Sequence, residues 1–124
     1  MSDLKFTSDH EAIYVEGDTA WVGITKYAQE ALGDLVYVEL PSTGKTVKKK
    51  ECFAVVESVK TAAEVYSPVD GTVVEVNTAM PENLDMITAP LSQNGWIAKI
   101  KMSDPGQIKD LMDDAAYQTY LKSL

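Results

Sequence analysis

One side chain in this 124-residue chain is suited to carrying a covalently attached group: the amine of Lys60. Two apolar, β-prone runs flank it, Phe53 to Val56 before, then Val65, Tyr66 and Val73 to Val76 after. Between them lies the small-residue passage Ser58-Val59-Lys60-Thr61-Ala62-Ala63. Strands joined this way read as a hairpin with the lysine at its bend. A bend projects its side chain into solvent, within reach of another protein. Lysine's flexible stem ends in an amine that forms an amide with a carboxylic acid. The pattern alone does not separate a carrier lysine from an ordinary surface lysine, the commoner case.

Other reactive residue types stand alone. Cys52 is the single cysteine, so no internal disulfide framework exists, and its apolar neighbours predict a buried structural thiol. His10 is the single histidine and cannot build a zinc site without several more ligands. No Cys-His or Ser-His-Asp set and no glycine-rich phosphate loop can be assembled. No catalytic apparatus is assembled from these residues.

The elements that must position Lys60 are mostly strands. Runs at Ile13 to Val15 and Ala20 to Ile24 meet at Gly17-Asp18, a type II′ hairpin signal. Thr25 to Gly33 reads as a short helix, with Thr25 as N-cap and Gly33 in the left-handed position past its end. Helical spacing would turn Tyr27, Ala28, Ala31 and Leu32 to the core. Alternation in Leu35 to Leu40 sets Val36, Val38 and Leu40 on one face and Leu35, Tyr37 and Glu39 on the other. Turns follow at Pro41 to Gly44 and at Pro68 to Gly71. The order Val36-Tyr37, Pro41, Gly44 returns as Val65-Tyr66, Pro68, Gly71, a weak echo of the kind two facing halves leave. Asn77 to Gly95 is irregular and is expected to lie near the lysine hairpin. Trp96, Ala98, Ile100 and Met102 alternate with Lys99 and Lys101 in a half-buried strand. Ser103-Asp104-Pro105 opens a helix carrying a stripe of Ile108, Leu111, Met112 and Ala115. Asp113 or Asp114 caps a second turn with Ala116, Tyr117, Tyr120 and Leu121.

Glu57-Ser58-Val59-Lys60, then Ser67-Pro68-Val69-Asp70-Gly71, then Val73-Val74-Glu75-Val76-Asn77 resembles the lipoyl-lysine region of the glycine cleavage system H proteins. His10-Glu11 resembles their His-Glu-Trp opening, with Ala12 in the third place. Ile24-Thr25, Ala28-Gln29 and Leu32-Gly33-Asp34 match as well, as do Pro90 and Gly95-Trp96. Ala31 stands where the family often has a histidine, and Met86-Ile87-Thr88 replaces its Val-Asn step. The likeness runs from about His10 to Leu121. Biotin carriers usually set their lysine between two methionines, and lipoyl domains of 2-oxo acid dehydrogenases have an Asp-Lys-Ala core; Val59 and Thr61 fit neither.

The resemblance implies a mainly β fold, a flattened β-barrel or sandwich of the biotinyl/lipoyl-carrier, barrel-sandwich hybrid type. A short helix near residues 25–33 and a C-terminal helical segment at about 104–121 would complete one domain, 1–124. It implies lipoate in amide linkage on Lys60. Glu57, Ser58 and Val59 would be read by the lipoate-attaching enzyme, and Glu11 and Glu64 would contact the arm. Partners would be a pyridoxal-phosphate glycine decarboxylase, a tetrahydrofolate-dependent aminomethyltransferase and an FAD dihydrolipoyl dehydrogenase. The protein would act as a monomer. Alternatives from other classes remain: a relay that donates lipoate to other enzymes, a biotin carrier, and an unmodified β-domain.

Composition bounds the rest. A net charge of −8, with all 11 cations lysine, opposes binding to nucleic acid phosphates. Lys48-Lys49-Lys50 reads as a solvated turn. No run approaches the roughly 18 apolar residues of a membrane span, and the first residues lack an apolar signal core. A cytoplasmic protein is expected, or a mitochondrial matrix one if it is a processed eukaryotic chain.

Overall fold

A computed structural model describes residues 4–89, 91 and 93–124. The chain runs β1 (Leu4–Phe6), β2 (Glu11–Glu16), β3 (Thr19–Ile24), α1 (Lys26–Leu32), β4 (Leu35–Glu39), β5 (Thr46–Val47), β6 (Cys52–Ser58), β7 (Ala62–Tyr66), β8 (Gly71–Val76), β9 (Ala98–Met102) and α2 (Asp114–Lys122). Short 3₁₀ turns occupy Met80–Glu82, Leu84–Thr88 and Pro105–Asp110. A six-stranded sheet has the order β1-β2-β3-β9-β8-β5, and a three-stranded sheet the order β4-β6-β7. All pairings are antiparallel. The expected mainly β sandwich of the lipoyl-carrier type is what forms.

One apolar core lies between the sheets. Val38, Val56 and Val65 from the small sheet meet Ile13, Val22, Val73 and Ile100 from the large one, all essentially without solvent contact. Each such side chain contributes about 1.5–3 kcal/mol on burial. In β9 the alternation holds: Ala98, Ile100 and Met102 are buried, as is Trp96 ahead of the strand. The β2–β3 hairpin pairs Glu16 with Thr19. Its loop is therefore Gly17-Asp18, with Gly17 alone at positive φ, +62°, as a type II′ turn requires.

Three expectations need correction. Val36 was placed on the face of Val38, yet it is 53% exposed, because the pairing of β4 with β6 slips between Leu35 and Tyr37. A bulge adds a residue to one strand and breaks the two-residue period there. The stripe from Ile108 to Ala115 does not lie on one helix. Asp104 caps the 3₁₀ turn by accepting from Gly106 N–H, and Leu111–Met112 then extend so that Met112 bridges to Phe6. Asp113 caps α2 through Ala116 N–H. Ala115 therefore lies exposed, off the predicted stripe. Finally, Cys52 is only half-buried, its thiol donating to Ala54 C=O.

A smaller apolar cluster joins Ala12, Leu91 and Trp96, with Tyr14 and Trp21 against it. Trp21 and Trp96 meet edge to face, and Lys99 Nζ sits 3.9 Å and 4.6 Å from their ring centres. These aromatic neighbours pack around Ala12. Pro90 lies outside the described residues.

Candidate functional site: a lysine hairpin beside a closed-ended cleft

The β6–β7 connection is a tight bend braced by one hydroxyl. Ser58 Oγ accepts from the backbone N–H groups of Lys60 (3.2 Å) and Thr61 (3.1 Å) and donates to Thr61 C=O (3.1 Å). Ser58 N–H also donates to Thr61 C=O at 2.8 Å. Serine is suited to this because its short side chain replaces backbone partners in a turn. Ser58 is buried, whereas the two tip residues Val59 and Lys60 stand in solvent, Val59 with 71% of its surface exposed. Among the described residues the Lys60 amine enters no ion pair.

The stem of Lys60 lies over the end of α1. A Cβ placed on Gly33 would stand 3.5 Å from Lys60 Cε and 3.8 Å from Nζ. Gly33 has φ +79°, and its N–H donates to Gln29 C=O, closing the helix. At the other end, Thr25 Oγ1 accepts from Ala28 N–H, as its cap role predicts. The segment 84–88 packs on the same end of α1: Gln29 Nε2 donates to Ile24 C=O and to Ile87 C=O. The irregular stretch thus packs against α1, the helix whose end the Lys60 stem covers.

Along α1 runs a cleft of about 190 Å³, walled by α1 on one side and β7 on the other. Tyr27, Ala28, Ala31 and Leu32 form the helix wall, and Ala63, Glu64 and Val65 the strand wall. Tyr27 and Ala31, expected in the core, are exposed here, on the helix face that lines the cleft.

Glu11 sits in this cleft with 2% of its surface exposed. Its Oε1 accepts from the Thr7 hydroxyl (2.6 Å) and its Oε2 from Tyr66 N–H (3.2 Å). Burial raises its pKa from 4.5 to about 7, against the lowering effect of these two hydrogen bonds. His10 beside it stacks on Tyr27 with ring centres 4.4 Å apart, and its Nδ1 is 2.8 Å from the Tyr117 hydroxyl. Burial lowers the His10 pKa, with Asp9 opposing. Among the described residues no group of three or more ligating side chains could hold a metal.

The predicted residues therefore separate into three places. Lys60 and Val59 share the tip, with Ser58 beneath as its brace. Glu11 and Glu64 share the cleft, although the Glu64 carboxylate turns to the Tyr66 hydroxyl, 3.2 Å away. Glu57 is half-buried on β6, paired with Tyr37 on one side and Ala62 on the other. Glu57 thus lies on the middle strand of its sheet, not on an edge. Sequence reasoning did not find the approach of Lys60 to Gly33 or the tie from Glu11 to Tyr66. Both join residues far apart in the chain, and no local pattern marks them.

Comparison with known proteins bears on this geometry. The family described as Glycine cleavage H-protein matches residues 4–124. The chain is similar to the glycine cleavage system H protein of Paramagnetospirillum magneticum, 51% identical over 124 residues, covering 100% of this chain and 99% of that one. It is 49% identical over 121 residues to that of Thermus thermophilus, covering 98% and 94%. Among solved structures, a glycine cleavage system H protein from Mycobacterium marinum superposes with a TM-score of 0.86 at 35% identity, over 98% of each chain. With its lysine on a serine-braced hairpin and its match over nearly every residue, the chain belongs to the glycine cleavage H-protein family.

Proposed function

We propose that this protein is the lipoyl-carrying shuttle of a glycine cleavage system, a non-catalytic carrier with lipoate attached in amide linkage to Lys60. When bound, the group supplies a cyclic disulfide that takes up electrons and the aminomethyl carbon of glycine by thiol–disulfide chemistry. Residues 1–124 act as one carrier domain, a monomer in the cytoplasm. Its partners are a pyridoxal-phosphate glycine decarboxylase, a tetrahydrofolate-dependent aminomethyltransferase, an FAD dihydrolipoyl dehydrogenase and the enzyme that attaches the lipoate.

One observation carries the reading: an exposed amine on a serine-braced bend near a cleft whose buried carboxylate has, among the described residues, no cationic partner within ion-pair distance. The Lys60 stem fits the group because the bend leaves its amine open to an acylating enzyme. The Ser58 hydrogen bonds fix where the amine stands, and a tether so held raises the local concentration of its end at a docked partner. Glu57, Ser58 and Val59 present the surface by which that enzyme tells Lys60 from the other lysines. Glu11 holds a cationic amine by a charge-assisted hydrogen bond. Apolar Ala28, Ala31 and Leu32 keep water from it, and Glu64 stands at the rim.

Intact mass with the modified site mapped is the first test. A lipoyl addition on Lys60 is expected in protein made with its own attaching enzyme, and an unmodified or biotinylated chain overturns the reading. Glycine–bicarbonate exchange with the cognate decarboxylase then separates shuttle from relay. Exchange that depends on lipoylated protein is expected; lipoylated protein that supports none would make it a donor of lipoate to other enzymes.

A further inference from the structure

Glu11 lines a second cavity besides the cleft, with a volume of about 270 Å³. Ordinary small-molecule pockets hold about 300–1,000 Å³, so this one fits a ligand of few heavy atoms. Its floor is buried and consists of Thr7, Glu11, Ser67 and Pro68. Phe6, Leu111 and Met112 form a half-buried apolar wall, and Lys49 and Lys50 stand at the rim. The polar groups of the floor already have protein partners. The Thr7 hydroxyl donates to Glu11 Oε1, Glu11 Oε2 accepts from Tyr66 N–H, and Ser67 Oγ donates to Val69 C=O at 2.6 Å. An apolar body laid on this floor therefore strands no hydrogen-bonding group and incurs none of that cost.

The rim differs. Lys49 Nζ faces Asp110 at 3.6 Å and Lys50 Nζ faces Asp9 at 3.4 Å. Both gaps exceed the roughly 2.7–2.9 Å of a charge-assisted hydrogen bond, and pairs this exposed are weak. One carboxylate placed at both amines gains two cations and displaces little. Lysine is also an unfavoured residue at position 50. Among the described residues only His10, at φ +69°, and Lys50, at +76°, are non-glycines with left-handed backbone, a conformation that suits glycine or asparagine better. The turn fixes Lys50 there: its N–H donates to Ser67 C=O at 2.7 Å, and Lys49 N–H donates to Asp70 Oδ1 at 2.6 Å. Strain of this kind clusters where a ligand is clamped. Its product here is a long cationic side chain at the mouth of an apolar cavity.

We propose that this cavity binds a short, unbranched monocarboxylate, with its head at the Lys49 and Lys50 amines and its chain against Phe6, Leu111 and Met112. A single negative charge is selected because Asp9 and Asp110 remain beside the amines and repel a second one. The chain stays short because the buried floor closes the cavity. The site does not depend on acylation of Lys60, which is not among the residues that line it.

NMR titration of the unmodified full chain with sodium butanoate, sodium hexanoate and hexanol, each against matched sodium chloride, tests it. Saturable shifts are expected at Phe6, Lys50 and Met112. Hexanoate should bind about tenfold more tightly than butanoate, since each added methylene that is buried contributes about fourfold. Hexanol, which has the chain without the charge, should bind at least about fivefold more weakly than hexanoate. Lys50→Asn suits the left-handed backbone, so its urea midpoint should not fall, yet its hexanoate affinity should drop at least about fivefold while its hexanol affinity is kept. That combination separates a ligand contact from a structural lysine. Absence of saturable shifts at these three residues would overturn the site, as would Lys50→Asn binding hexanoate like wild type. Equal affinities for hexanol and hexanoate would overturn the charged head. The protein tested carries no group on Lys60, so each of these results leaves the carrier reading as it was.

Discussion

The carboxylate of Glu11 accepts a hydrogen bond from the backbone N–H of Tyr66, 55 residues further along the chain. One buried group thereby ties the start of β2 to the end of β7 and marks the closed end of the cleft. Its position makes it a structural tie between the two strands.

Glu11 therefore sets a pH dependence. Burial holds its folded-state pKa at about 7, above the ordinary value of 4.5 that describes the unfolded chain. Between these values the unfolded chain loses a proton that the folded one keeps, so the stability cost of burying the group grows as pH rises from 4.5 to 7 and is constant above. The rise corresponds to a cost on the order of 3 kcal/mol. Glu11→Gln keeps an acceptor for Tyr66 and carries no such cost. Urea denaturation should show its stability relative to wild type increasing across that window and levelling off above it.

Gly33 combines a left-handed backbone with the approach of Lys60. Gly33→Ala should lose about 1 kcal/mol in urea denaturation from the backbone alone, because its added Cβ meets Lys60 Cε at an ordinary contact distance. Gly33→Val adds methyl groups where the lysine stem lies. It should also slow acylation of Lys60, followed by intact mass, beyond any effect of the alanine variant.

Bracing and recognition at the hairpin are separable. Ser58→Ala removes the acceptor of two backbone N–H groups and should cost about 1–3 kcal/mol while loosening the tip. Glu57→Ala leaves those bonds in place and should fold with near-wild-type stability yet take up lipoate more slowly. Equal loading rates for Glu57→Ala and wild type would remove Glu57 from the recognition surface.

The Tyr117 hydroxyl donates to Thr25 Oγ1 at 2.8 Å, and Thr25 in turn caps α1. Helix α2 thus steadies the helix wall of the cleft from behind. Tyr117→Phe keeps the stack on Phe6, whose ring centre is 4.7 Å away. It should cost about 1–2 kcal/mol in chemical denaturation, with the heat-induced loss of α1 signal moving to lower temperature.

Much of this architecture was legible in local patterns. Thr25 and Gly33 mark both ends of α1 because capping chemistry is carried by single residues. Gly17-Asp18 marks its hairpin because few residues adopt the turn. The Val36 bulge escaped notice because it arises from pairing with β6, not from anything in β4. Residues 104–121 misled for a related reason: the stripe of Leu111 and Met112 is apolar because Met112 bridges to β1, which a helical period mimics. At the site, Lys60 and its flanking residues stood out by spacing. The cleft did not, since its walls come from α1 and β7 and its end from Glu11.

Both tryptophans of the chain, Trp21 and Trp96, sit around Lys99 on the six-stranded sheet, not on the sheet that bears the lysine hairpin. Intrinsic ultraviolet emission will therefore track the melting of the larger sheet and carry little signal from the hairpin that bears Lys60. A dye or fluorinated side chain installed at Tyr27, on the helix wall, would give the optical or NMR handle that nature has placed elsewhere.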